Sequence, residues 1–249
     1  MVGRCAEPCP ASLDHASVHG RSTMHIERPS ELDLAKFLLA HQGFRRQAAR
    51  LRDLLASPEE LTGERLAALT RHWTKYLCVL EHHHTTEDEK IWPLLRAAAP
   101  EAAAALDELE AEHAELDRLI DASAAALVRL ADDPYHRPAA AALFGEFADL
   151  VDRHLDHEEK HAVPLLLTAL TRDEWLAIET ANAASLRAHD LVPFVLPWSL
   201  EDAPPAVVDA FLSSSPPELR TVYEKVWLPA YQRQARLLWQ GMFDTAARA

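Results

Sequence analysis

Glycine is scarce in this chain, six residues in 249, and cysteine is scarcer still at three. So few glycines exclude the phosphate-cradling loops and nucleophile elbows that need several in fixed register, and nucleotide cofactors are not indicated. Cys5, Cys9 and Cys78 make no even disulfide framework, and the opening MVGRCAEPCP lacks the apolar run of a secretory signal. A cytoplasmic protein is expected. No stretch approaches the roughly 20 apolar residues of a bilayer-spanning helix, so no membrane span is expected. Positive charge is also short: 25 Lys and Arg stand against 39 Asp and Glu, a net charge of −14 with histidines neutral. That sign opposes counterion release from nucleic acid and attraction to anionic lipid, which excludes both as expected partners.

What is abundant is apolar residue at helical spacing. The apolar fraction is 49%, and it recurs at three- and four-residue steps rather than alternating, which predicts an all-α chain. A first stripe, Leu34, Leu38, His41, Phe44, Ala48 and Leu51, follows the helix-start signal Pro29-Ser30-Glu31 with Asp33. A second begins at Ser57-Pro58 or near Glu64, runs to Pro93, and reads Trp73, Tyr76, Leu80, His83, Glu87, Ile91. The third opens at Pro100 and carries Leu106, Leu109, His113, Leu116 and Ile120 to the turn Asp132-Asp133-Pro134-Tyr135. The fourth follows Pro138 with Phe144, Phe147, Val151, His154, Glu158 and Leu165. Four such helices joined by short connections pack as an up-and-down four-helix bundle over residues 29–170.

Residues 1–28 read as a flexible N-terminal tail. Cys5 and Cys9 lie there near His15, His19 and His25, but the segment offers no packing face to organise a metal site. Residues 171–249 read as a C-terminal helical extension packed on the bundle. Thr171 caps one helix ahead of Asp173 and Glu174. Pro193, Pro197 and Pro204-Pro205 break the chain, and another helix starts near Pro216-Pro217 and is interrupted at Pro229.

The polar members of the apolar stripes are the anomaly. His83 and Glu87 are one turn apart on the same face, and so are His154 and Glu158. The letters around them repeat, since His83, Glu87 and Pro93 each have a counterpart 71 positions on at His154, Glu158 and Pro164. His41 and His113 are 72 apart, so two related helix pairs each supply one lone histidine and one His-x-x-x-Glu. Packed about a pseudo-two-fold axis, these bring four imidazoles and two carboxylates to mid-bundle. Buried carboxylates repel one another unless protonated or neutralised by cations, and two divalent metals bridged by Glu87 and Glu158 remove that repulsion. Mixed imidazole and carboxylate ligands suit iron first, with zinc or manganese as alternatives.

The set His41, His83-x-x-x-Glu87, His113, His154-x-x-x-Glu158 resembles the ligand pattern of the hemerythrin-like (HHE) cation-binding family, over roughly residues 30–170. The resemblance implies a hemerythrin-like bundle around two non-haem iron ions that react with dioxygen, peroxide or nitric oxide. Oxygen-carrying members have a fifth histidine and a His-x-x-x-His in the third helix, whereas here Leu109 precedes and Asp117 follows His113. Fewer protein ligands favour turnover over reversible binding, unless Glu110, Asp117, His157 or His161 fills in. His161 stands three after Glu158, a spacing other carboxylate-bridged di-iron bundles use, and competes with a solvated-face reading. His82 and His84 flank His83 at roughly 100° to either side, which suits supporting or surface roles. Tyr76, two turns from His83, is either a hydrogen-bond or electron donor near the metals or an ordinary core tyrosine.

Three functions follow: a di-iron oxidoreductase that activates dioxygen or peroxide and acts on a small molecule or dismutates peroxide; a non-catalytic dioxygen- or nitric-oxide-binding or sensing protein; and a storage or structural site for iron or zinc. The thin ligand set and the added helices favour the first. The aromatic residues of the extension, among them Phe194, Trp198 and Tyr231, read as a cover over a substrate channel, an oligomer interface or plain packing.

Overall fold

The computed structural model describes residues 27–61 and 63–242. The expected tail, with Cys5 and Cys9, lies outside the described residues except for its last two. Of these, Glu27 accepts a hydrogen bond from the Arg172 backbone N–H (2.9 Å) and Arg28 donates to the carbonyls of Ala169 and Leu170.

Every element among the described residues is helical. Ser30 and Asp33 exchange hydrogen bonds, Ser30 N–H to Asp33 Oδ2 at 2.9 Å and Asp33 N–H to Ser30 Oγ at 3.2 Å, and this turn launches α1 (Ala35–Ala56). The second stripe forms α2 (Gly63–Thr86), which passes through a π-helical turn (Glu87–Ile91) into α3 (Trp92–Ala98). The sequence pattern ends this helix at Pro93, but the structure carries it onward. Proline lacks the N–H of the helical ladder and its ring crowds the preceding turn, and in the widened turn ahead of it the Trp92 N–H reaches back to Glu87 O. The same arrangement recurs before Pro229, where a π turn (Tyr223–Trp227) precedes the last helix. After a short turn at Pro100, α4 (Ala103–Asp132) ends at the expected Asp-Asp-Pro signal. With Pro138 in its first turn, α5 (Arg137–His161) breaks at Ala162 ahead of α6 (Val163–Thr168).

Helices α1, α2, α4 and α5 form the antiparallel four-helix bundle, in which α5 packs along both α1 and α4. Its interior is not one continuous apolar core. One cluster contains Phe44, Tyr76, Leu80, Leu116 and Val151; the other contains Phe37, Ile91, Leu109, Ala162 and Leu166. On each of the four helices the polar residues of the stripe lie between these two clusters: His41 between Phe37 and Phe44, His113 between Leu109 and Leu116.

The extension adds α7 (Arg172–Ala188), α8 (Val192–Ser199), α9 (Pro205–Ser213), α10 (Pro217–Val222) and α11 (Leu228–Leu238). Thr171 and Glu174 form the expected capping box at the start of α7. The indole of Trp198 on α8 lies against the α1 backbone at Gly43, so close that a Cβ there would sit 2.7 Å from the ring. Only glycine admits that approach. At the far end α11 packs on α2, and the Arg65 guanidinium bonds the carbonyls of Leu238 and Gln240 at the end of the last helix. No helix among the described residues is long and apolar enough to cross a membrane.

Candidate metal centre

The polar layer brings together all six side chains singled out from the sequence. His41 comes from α1, His83 from α2, Glu87 from the first residue of the π turn, His113 from α4, and His154 and Glu158 from α5. Glu87 and Glu158 are fully buried, and His41, His113 and His154 nearly so. A seventh residue joins them. His84, expected from the sequence in a supporting or surface role, is buried and stacks on His113 with ring centroids 4.0 Å apart. The surface alternative is overturned for a simple reason: His84 is four residues after buried Leu80 and so continues the α2 stripe beside His83. Its position in the repeat is occupied by Leu155, a core residue of the other half. A polar residue at a position that is apolar core in its repeat partner is the signal that marks it.

Two groups result. One ligand atom from each of His41, His83, Glu87 and Glu158 lies within 4.8 Å of the others, and the same holds for His84, His113 and His154. The carboxylates connect the groups. Glu87 places Oε1 2.9 Å from His83 Nε2 and Oε2 3.5 Å from His113 Nε2. Glu158 Oε2 lies 3.5 Å from His41 Nε2 and 3.8 Å from His154 Nε2.

An outer ring of carboxylates fixes the imidazoles. Nδ1 of His41, His113 and His154 lies 2.9 Å from Glu159, Asp88 and Glu112 respectively. A carboxylate only accepts, so each Nδ1 carries the proton and each Nε2 turns its lone pair inward. Nε2 of His113 and of His154 then face each other at 3.2 Å. Nε2 of His41, His83 and His84 and all four carboxyl oxygens of Glu87 and Glu158 are buried without a hydrogen-bond partner. Buried polar atoms are nearly always paired, and a cation among these atoms satisfies the whole set.

The protonation equilibria express the same problem. Burial pushes Glu87 up to about 8, and burial together with the Glu87 charge raises Glu158 well above the usual carboxylate range. Burial holds His83 down to about 3 and His154 to about 4. His113 is displaced upward: burial opposes its charge, but its hydrogen bond to Asp88 and the Glu87, Asp88 and Glu158 carboxylates outweigh that. In the outer ring, the His41 hydrogen bond leads in drawing Glu159 down to about 2.

The remaining candidates stand away from the centre. Glu110 pairs with Arg96 at 2.9 Å, and Asp117 is exposed. His157 bonds Glu112, the carboxylate that holds His154, and thus supports that ring from behind. His161 packs on His157, with centroids 4.9 Å apart. Tyr76 donates to the Phe44 carbonyl at 3.3 Å within the apolar core. His82 turns outward to Asn182 of α7.

A comparison with the curated proteins and one with the solved structures match nothing. A comparison with protein-family models matches residues 33–166, more than half of the chain, to the hemerythrin HHE cation-binding domain. That span contains all seven side chains of the centre. Having its helical bundle and a buried His/Glu set able to hold metal, the chain belongs to the hemerythrin HHE cation-binding domain family.

Proposed function

We propose that the centre holds two iron ions, one at His41 and His83 and the other at His84, His113 and His154, with Glu87 and Glu158 shared. We further propose that it acts as an oxidoreductase on dioxygen, peroxide or nitric oxide. The observation that supports this reading is the set of inward lone pairs and carboxyl oxygens left without hydrogen bonds in a closed interior. The donor set is imidazole and carboxylate without thiolate, which suits iron ahead of manganese or zinc.

Bound iron supplies the redox and Lewis-acid chemistry. The chain's own residues do the rest. Glu159, Asp88 and Glu112 hold the Nδ1 protons and so fix which nitrogen faces inward. Glu87 and Glu158 supply the negative charge that balances the cations. The apolar clusters on either side of the layer keep bulk water out, which strengthens every electrostatic interaction inside.

A second reading, reversible capture or sensing of dioxygen or nitric oxide, is favoured by His84. A fifth imidazole removes the thin ligand set that the sequence suggested and leaves fewer open positions for turnover. Oxidation of an organic substrate is favoured by a cavity that reaches His83 and Glu87. Metal analysis and an optical spectrum of protein purified without added metal test the proposal, followed by peroxide and by dioxygen with a reductant. Two irons per chain with turnover are expected. Stable reversible spectral change without turnover selects the sensing reading, and zinc alone, inert to peroxide, sinks both.

A further inference from the structure

The bundle and the extension do not meet as one solid interface. Between α1 and α2 on one side and α7 to α10 on the other lies a cavity of about 530 Å³, a size that encloses a small organic molecule. Its inner end includes His83 and Glu87, and Glu87 is fully buried with neither carboxyl oxygen hydrogen-bonded. Its walls are chiefly aromatic and aliphatic, with Phe37 and Phe44 from the bundle facing Trp175, Ile178, Leu196 and Trp198 from the extension. The polar side chains along it are largely committed to one another. Lys36 pairs with Glu179 at 2.9 Å, His82 bonds Asn182, and Arg187 stands in solvent. An anionic ligand therefore meets no unpaired positive charge on the buried walls, and transfer of a charge into such a space is costly.

We propose that this cavity binds a neutral, largely hydrocarbon molecule, whose inner end lies against His83 and Glu87. The assignment of that molecule as the organic substrate of the centre rests on the metal reading above; its binding does not. The extension then has a chemical role: α7 and α8 furnish the outer wall that makes the site selective for apolar compounds. The bundle alone offers only the Phe37 and Phe44 side.

The test uses the full chain and the neutral fluorophore N-phenyl-1-naphthylamine, with energy transfer from Trp175 and Trp198 as a second signal. Saturable binding of one probe per chain is expected, displaced by naphthalene and not by 1-naphthalenesulfonate. Ala183→Phe on the α7 wall and Ala40→Phe on the α1 wall fill the space and should weaken binding at least about tenfold. Ala184→Phe, on the exposed side of α7, should not, and metal content should be unchanged in all three. The proposal is overturned by absence of saturable binding, by undiminished binding in both filling variants, or by equal displacement with the sulfonate. Probe binding in this pattern by a chain that takes up no iron defeats the proposed function and leaves the cavity assignment standing. Iron uptake without probe binding does the reverse.

Discussion

Two networks of buried polar side chains among the described residues are built on opposite terms. Where the extension meets the bundle, His72 Nε2 donates to Gln47 Oε1 (3.1 Å), Gln47 Nε2 donates to the Tyr231 hydroxyl (3.1 Å), and Tyr231 donates to Glu201 Oε2 (2.7 Å). Glu201 in turn faces Arg50 at 2.8 Å and Arg46 at 3.3 Å. Donor meets acceptor at each step from His72 to Glu201, and the two guanidinium groups balance the Glu201 charge. Burial, with the Arg50 and Lys75 charges adding to it, holds His72 down to about 3, so it stays neutral. In the central layer the carboxyl oxygens of Glu87 and Glu158 and the Nε2 atoms of His41, His83 and His84 converge with no hydrogen-bond partner among the described residues. A buried network that satisfies itself joins parts of a fold; one that converges unsatisfied lone pairs is built for something that is not protein.

The largest test of this contrast removes one imidazole from the centre. His83→Ala or His154→Ala should each lose both metals, because the shared Glu87 and Glu158 then lack the cation that offsets their charge; metal stoichiometry and the optical spectrum measure it. Next comes His84→Leu, which writes the Leu155 side of the repeat into the other half. It should release the metal of the three-histidine group first, cutting metal content by about half, and full retention would return His84 to a packing role.

A pH effect follows in the chelated protein. Glu87, Glu158 and His113 have folded values raised above their unfolded ones, so their stabilising contribution is present at low pH and lost as pH rises through the folded values. His83 and His154 have depressed values, and their contribution is lost as pH falls below the unfolded value of 6.5. Between 6.5 and about 8 only the first set titrates, so the melting temperature of the metal-free protein should fall across that window. The metal-loaded protein should show no such slope, because the cations keep both carboxylates ionised. The smallest effect is expected in the self-satisfied network: Tyr231→Phe should cost about 1–2 kcal/mol in denaturant unfolding and leave metal content unchanged.

Much of the central layer is legible in the amino-acid sequence alone. His41, His83, Glu87, His113, His154 and Glu158 interrupt apolar stripes at helical spacing, and a constant repeat offset ties the two His-x-x-x-Glu pairs together. His84 escapes a stripe drawn through His83 alone, although both residues fall on the wide buried face of α2. The outer carboxylates Asp88, Glu112 and Glu159 are illegible for a different reason. Each is one acidic residue among 39, and what distinguishes it is which neighbouring helix its side chain reaches.

The sequence by itself determined the helices, their inward faces and the level at which the polar residues would meet, because these depend on spacing along one chain and on the 3.6-residue period. Tertiary structure alone decided that the extension closes on α1 through the Trp198 and Gly43 contact and encloses a cavity beside His83. It also decided which nitrogen of each imidazole turns inward. Those outcomes depend on distances between residues far apart in the chain, and local periodicity carries no record of them.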